Sequence, residues 1–292
     1  MADEVRIDQI YNENFYRSQK DASYRSAEVI IPLVMKYVQP RSVIDVGCGV
    51  APWLSVFQKF GARVYGVDGD YVDRTQLYID QNDFHPANLE ERLNVGERFD
   101  LAMTMEVAEH LSPARADTFV EDLTKLSDVV LFSAAAAAQG GDHHINEQMP
   151  SYWASKFARH GYVCIDCIRP QVWTDQRIQV WYRQNVLLFV NIDALKNYWE
   201  LKVFYLEHRN STVIDIIHPQ MWLERTIYFQ QQVAALQNFI QAHTVIVPQP
   251  PPIPISKNKI AIKIMHEKSR RRKTGGFFCW QKTFLGAEIH SS

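Results

Sequence analysis

The sequence predicts a doubly wound α/β fold, a mostly parallel sheet between helices, with a helical C-terminal extension. Three observations predict it. The segment Val43-Ile44-Asp45-Val46-Gly47-Cys48-Gly49 reads as a buried strand entering a glycine turn. A second strand, Arg63-Val64-Tyr65-Gly66-Val67, closes on Asp68, nineteen residues after Gly49. From there to residue 191, strand-like and helix-like runs alternate, as a parallel sheet with crossover connections requires.

The elements follow in order. Residues 1–40 read as helical, with Arg25 to Val38 the clearest helix and Pro40 after its end. Residues 41–191 form the sheet domain. In it Leu77-Tyr78-Ile79-Asp80 is expected as a short third strand, Phe99 to Met105 as the fourth and Asp128 to Ser133 as the fifth. The final two strands fall near Tyr162–Ile168 and Val186–Asn191. Residues 192–245 read as two helices, Ala194 to His208 and Pro219 to Ala242. Along the second, Trp222, Phe229, Val233, Leu236 and Ile240 make a short heptad-like stripe. Such a stripe either pairs with another chain (a second copy or a glycosyltransferase partner) or packs on its own domain. Residues 246–292 hold a proline-rich linker, Pro248 to Pro254, then a basic run, Lys268 to Lys273, and the aromatics Phe277, Phe278 and Trp280.

Composition narrows the class. A chain of 292 residues, 47% hydrophobic, suffices for one large domain with an appendage. A net charge of −2 argues against a nucleic-acid binder held by its overall charge. Met1-Ala2-Asp3-Glu4 lacks the basic-then-apolar pattern of a signal peptide, and no apolar run is long enough to span a bilayer. The expectation is a cytoplasmic enzyme. Cys164 and Cys167 form a lone C-x-x-C without a second ligand pair, which does not make a zinc site.

The turn chemistry is selective. A dinucleotide fingerprint needs a third glycine where Pro52 stands. Asp45 is a poor neighbour for a pyrophosphate, but it suits an ammonium or sulfonium. The Asp45-x-Gly47-Cys48-Gly49 turn and the block Glu106-Val107-Ala108-Glu109-His110-Leu111 resemble those of class I S-adenosylmethionine-dependent methyltransferases, from about Val43 to Val190. The resemblance implies a Rossmann-like sheet of seven strands with the last one antiparallel. It implies S-adenosylmethionine as cofactor and S-adenosylhomocysteine as product, held by Asp45, Gly47, Cys48, Gly49 and Gly69. Asp68 would take the ribose hydroxyls, Asp83 the adenine amino group, Phe84 the adenine ring, and Glu106 would face the cleft. Ala51 stands where the family usually has glycine. The N-terminal helix would cover the cleft, with Tyr11, Tyr16 and Tyr24 as candidate lining. His110 is expected to do no more than bond backbone inside the following helix.

The acceptor side carries a second resemblance. After the fifth strand come Gln139-Gly140-Gly141-Asp142-His143-His144-Ile145-Asn146-Glu147-Gln148, then Tyr152-Trp153. This is similar to the "GGxxHxNEQxxxYW" block of small bacterial and viral methyltransferases associated with glycan biosynthesis. Arg169 to Trp173 and Val180 to Asn185 match the same group. The resemblance implies transfer of a methyl group to a sugar or glycan hydroxyl, with His144 as general base and Glu147 orienting it or holding a hydroxyl. His143, Asn146, Tyr152, Trp153, Arg169 and Trp173 are then the acceptor contacts. The preferred reading needs no metal; in an alternative, Asp142, His143 and Glu147 hold Mg²⁺. Other readings are a small-metabolite, lipid or protein acceptor, or a catalytically silent scaffold.

Overall fold

Seven strands form one sheet in the order β3-β2-β1-β4-β5-β7-β6. They are β1 Ser42–Val46, β2 Arg63–Asp68, β3 Phe84–Pro86, β4 Leu101–Met105, β5 Val129–Ser133, β6 Tyr162–Ile165 and β7 Leu187–Asn191. All neighbours pair in parallel except β7, which runs antiparallel to both β5 and β6. This is the Rossmann-like architecture of class I methyltransferases. The computed structural model describes residues 13–210 and 213–243, with 13–21 as backbone alone. Tyr11, the side chain of Tyr16, the proline-rich linker and the basic tail lie outside the described residues. The described residues belong to one unit, Met1–His243.

Strand alternation sends successive side chains to opposite faces, and each face buries its own core. Val43, Leu101, Leu131 and Leu188 meet Ile30, Val34, Trp53 and Phe57 on one side. Ile44, Ala102, Val130 and Phe189 meet Phe119, Leu123, Trp153 and Phe157 on the other. Phe157 and Phe189 stack at 4.0 Å. Burying a side chain of this size contributes about 1.5–3 kcal/mol. The strand order reverses between β1 and β4, which opens a crevice at their carboxyl ends.

Two local expectations are corrected. Leu77 to Asp80 is not a strand; it lies between the 3₁₀ turns Arg74–Gln76 and Gln81–Asp83. The carboxylates of Asp73 and Asp80 accept from the backbone N–H of Thr75 and Asn82 and favour turns there. The third strand starts at Phe84 instead. The helix expected over Ala194 to His208 breaks at Tyr198 into a 3₁₀ turn, Ala194–Asn197, and the helix Trp199–His208. Among the described residues the stripe on helix Pro219–His243 is exposed: Trp222, Phe229, Val233 and Leu236 are each about half exposed or more. Among the described residues, no helix is long and apolar enough to cross a membrane.

Candidate active site

At the end of β1 the chain makes two left-handed turns. Gly47 has φ +88° and donates its N–H to the Val67 carbonyl at 2.8 Å. A Cβ there would stand 2.3 Å from Val107 Cγ2, so only glycine fits. Gly49 has φ +55° and its added Cβ would meet nothing within 4 Å, which marks an open face above the turn. Ala51 has φ 62°. That left-handed conformation favours glycine and costs an alanine about 1–2 kcal/mol. Cys48 is buried, and a Cβ on Gly66 would approach its Sγ to 2.9 Å.

Asp68 ties the turns together. Its Oδ2 accepts the Gly49 N–H at 2.7 Å, and its Oδ1 accepts the Gly69 N–H and the Tyr71 hydroxyl, both at 2.6 Å. Asp45 lies fully buried beside it, and its Oδ1 has no hydrogen-bond partner. Burial, and then the Asp68 charge, holds the Asp45 carboxyl well above the usual carboxylate range. Asp83 ends a 3₁₀ turn and is half-buried. Phe84 does not offer the open stacking face expected of it. It is 4% exposed, with the Arg74 guanidinium 5.5 Å over its ring.

Glu106, at the end of β4, is held at φ 57°. Its Oε1 accepts from Ser133 Oγ and from Asn185 Nδ2, the latter at 3.0 Å, and its Oε2 accepts from Gln139 Nε2 at 3.0 Å. Gln139 Oε1 in turn accepts from Gln184 and Asn185 at 3.2 and 2.9 Å. A closed amide network therefore joins β4, β5, the loop after β5 and helix Val180–Asn185. Gln139, Gln184 and Asn185 were not expected at the site. Their signal was three amides within apolar blocks, which must find partners when buried.

His144 and Glu147 meet in the loop. His144 Nδ1 lies 2.8 Å from Glu147 Oε1, which also accepts the Gly140 N–H at 2.6 Å. With Glu147 ionised, Nδ1 carries the proton and Nε2 is left with a lone pair. Nε2 stands 4.0 Å from Glu109 Oε1. The ring of His110 meets that of His144 edge-on at 4.8 Å. His110 is thus part of the site, on the 3₁₀ turn Ala108–His110 rather than in a long helix, and its ring also bonds the His143 backbone. Its imidazole is pulled down to about 4, by burial first and then by His144. Glu109 is completely buried, with the Glu106 carboxyl and the Ala135 backbone next to its own carboxyl. Burial, and then Glu106, pushes its carboxyl well above the usual range. The Glu109 carbonyl accepts the N–H groups of Ile145 and Asn146 at 2.9 Å, which pins the loop against β4.

Ligand atoms of Glu109, His110 and His144 lie within 4.8 Å of one another, so these three residues have the geometry to hold a metal ion. Asp142 and His143, expected as ligands in the metal alternative, are exposed and outside this group.

The expected acceptor contacts divide. Tyr152 is half-buried, with Lys156 Nζ 4.4 Å over its ring. Trp173 is half-buried against the His218 ring at 4.5 Å. His143 is exposed at φ 57°. Asn146 is buried, its Oδ1 accepting from Gln148 and its Nδ2 without a partner. Two expectations are corrected. Trp153 is 2% exposed and packs on Phe132 in the core, so it presents no face to a sugar. Arg169 is 1% exposed and spends its guanidinium on Asp166 and on the carbonyls of Gln184 and Ile214. It is a brace between segments, not an acceptor contact.

A family model described as a methyltransferase domain matches residues 18–185. The chain belongs to this methyltransferase family. This methyltransferase is 31% identical over 90 residues to a ubiquinone biosynthesis O-methyltransferase of Bartonella tribocorum, covering 29% of this chain and 36% of that one. It is 32% identical over 83 residues to the protein of that name in Rhodopseudomonas palustris strain BisB18, covering 25% of this chain and 31% of that one. The matches thus span about a third of the relatives' length. Among solved structures it is similar to the sugar N-methyltransferase KedS8 from Streptoalloteichus sp. ATCC 53650, at 14% identity and a TM-score of 0.48, covering 61% of this chain and 91% of that one. It is also similar to the magnesium protoporphyrin IX methyltransferase of Synechocystis PCC 6803 with bound S-adenosylmethionine, at 19% identity and a TM-score of 0.44, covering 59% and 83%.

The residues present fit S-adenosylmethionine, the cofactor that the resemblance implies. Asp45 leaves a buried carboxylate oxygen unpartnered beside a second carboxylate, an arrangement that a cationic ligand relieves. Gly49 leaves open space above the turn, next to the carboxylate of Asp68.

Proposed function

We propose that this methyltransferase transfers a methyl group to a hydroxyl of a sugar or glycan. The observation that carries the reading is the His144–Glu147 pair, set in the loop after β5 beside Glu109 and the Glu106 network. Bound S-adenosylmethionine supplies a methyl group already activated by its sulfonium. The chain's own residues then have three tasks. Asp45, Asp68 and the glycine turns hold the cofactor, with Asp83 at its adenine edge. Tyr152 and Trp173, both half-buried, offer ring faces to a sugar and align it. His144 Nε2 takes the proton that the hydroxyl loses as its oxygen becomes an ether, and Glu147 stabilises the resulting imidazolium. A general base of this kind typically contributes ~10²–10⁴-fold. The curated relatives named above are called O-methyltransferases, which supports oxygen as the atom methylated.

A second reading has one specific observation behind it. Ligand atoms of Glu109, His110 and His144 gather within 4.8 Å of one another. A divalent cation on these three ligands would occupy His144 Nε2 and acidify the hydroxyl in place of the base.

The test is methyl transfer from labelled S-adenosylmethionine to a panel of sugars, glycosides and sugar phosphates, with and without EDTA. O-methylation that survives EDTA supports the base. O-methylation abolished by EDTA and restored by Mn²⁺ or Mg²⁺ supports the cation reading. Transfer only to amines or to carbon rejects both.

A further inference from the structure

Most arginines of the described fold rest on a carboxylate, as Arg63, Arg92, Arg98, Arg115, Arg169 and Arg177 do. Arg225, on helix Pro219–His243, does not. It is half-buried, and among the described residues its buried Nε has no hydrogen-bond partner and its charge meets the rings of Tyr228 and Phe229, at 4.5 and 4.8 Å. Its guanidinium lies against Gly140: a Cβ on that glycine would stand 2.3 Å from Nη1 and 2.9 Å from Nη2. Gly140 is the residue whose N–H is bound by Glu147.

Beside them lies a cavity of about 260 Å³ lined by Gln139, Gly140, Trp181, Met221, Glu224, Arg225 and Tyr228. That is just under the ~300–1,000 Å³ typical of ligand clefts, a size for part of a ligand rather than the whole. Gln139 also donates to Glu106, so the cavity adjoins the network at the end of β4. The helix bearing Arg225 is anchored there. Arg183 donates to Gln220 Oε1 at 2.7 Å, and the His218 N–H donates to Gln184 Oε1 at 2.8 Å. The ring platforms and the anchored helix hold the planar donor fork in place before any ligand arrives.

We propose that Arg225 seats an oxyanion carried by the acceptor, and that the acceptor is therefore an anionic sugar, bearing a phosphate or a carboxylate. A guanidinium fork with no carboxylate partner among the described residues matches either group bidentately. Trp181 and Tyr228 line the cavity beside it. Glu224, with one oxygen held by Gln220 at 2.9 Å, contributes an opposing charge that limits how tightly the anion is held. The inference rests on the reading of the Gln139–Gln148 loop as the acceptor loop.

The experiment is calorimetry on the full chain, saturated with S-adenosylhomocysteine, using glucose 1-phosphate, glucuronate and methyl glucoside as probes. The two anionic probes bind and methyl glucoside does not at the same millimolar concentration. Arg225→Gln weakens the anions at least tenfold, Arg225→Lys less, and Glu224→Gln tightens them. A merely structural role for Arg225 would not produce opposite shifts in two neighbouring charge variants. Binding of glucose 1-phosphate but not glucuronate, or the reverse, identifies the oxyanion. Equal binding of the neutral probe, anion binding indifferent to Arg225→Gln, or no anion binding by a protein that still binds S-adenosylhomocysteine overturns the subsite. Failure to bind S-adenosylhomocysteine at all is a separate result, and it counts against the underlying reading as well.

Discussion

Glu147 reaches back three residues to His144, its Oε1 2.8 Å from Nδ1, and the same oxygen takes the Gly140 N–H. One carboxylate therefore sets both the tautomer of the histidine and the shape of the loop. His144→Ala should cut turnover by roughly 10²–10⁴-fold while leaving cofactor affinity intact. Glu147→Gln should cost less in turnover, about tenfold, because the ring keeps a hydrogen-bond partner but loses the charge. Steady-state kinetics beside calorimetry of S-adenosylhomocysteine separate the two effects. Near-normal turnover of His144→Ala would remove it from the chemistry.

Asp68 is predicted to matter twice, as a ribose acceptor and as the clamp on Gly49 and Gly69. Asp68→Ala should raise the dissociation constant for S-adenosylhomocysteine at least a hundredfold. Tyr71→Phe removes the hydroxyl that now occupies Oδ1 and should tighten binding a few-fold. Unchanged affinity in Asp68→Ala would sink the assignment.

The two glycines of the first turn should respond differently. Gly47→Ala combines a left-handed φ with a 2.3 Å clash against Val107, and should destabilise the fold by more than about 2 kcal/mol. Gly49→Ala meets no atom within 4 Å, so it pays only the backbone strain of about 1–2 kcal/mol, but its methyl enters the cleft and weakens the cofactor. Denaturant midpoints and cofactor affinities of both variants check this. Equal midpoints would contradict the packing argument.

His110 predicts an acid-side loss of stability. Its imidazole is held down to about 4, whereas an unfolded histidine titrates near 6.5. Below pH ~6.5 the unfolded chain takes a proton that the folded chain refuses. The stabilisation is therefore complete above that pH and is lost as pH falls toward 4, amounting to roughly 1–3 kcal/mol. Urea midpoints at pH 7.5, 5.5 and 4.5 should fall less steeply for His110→Gln than for the wild type. Parallel curves would show that His110 does not titrate as described.

Much of the fold was legible because it depends on local pattern. A strand, a glycine turn and an acid nineteen residues on are close in the chain, and the structure brings Gly49 to within 2.7 Å of Asp68. The antiparallel β7 followed from the family resemblance. What was not legible depends on which face of an element turns inward. Trp153 and Arg169 sit in blocks that read as acceptor contacts, yet core packing and the Asp166 pair claim them. His110 reads as an ordinary helix residue because its partner, His144, lies more than thirty residues away. Arg225 had no sequence signal at all, since only the packing of the C-terminal helix brings it to Gly140.

The most direct test is the product itself. The methyltransferase, incubated with ¹³C-methyl S-adenosylmethionine and an anionic sugar such as glucose 1-phosphate, is followed by two-dimensional NMR. The account predicts a ¹³C methyl resonance correlated with a ring carbon through oxygen, present with wild-type protein and lost with His144→Ala. A methyl group on nitrogen or carbon, or transfer that persists undiminished without His144, would contradict it.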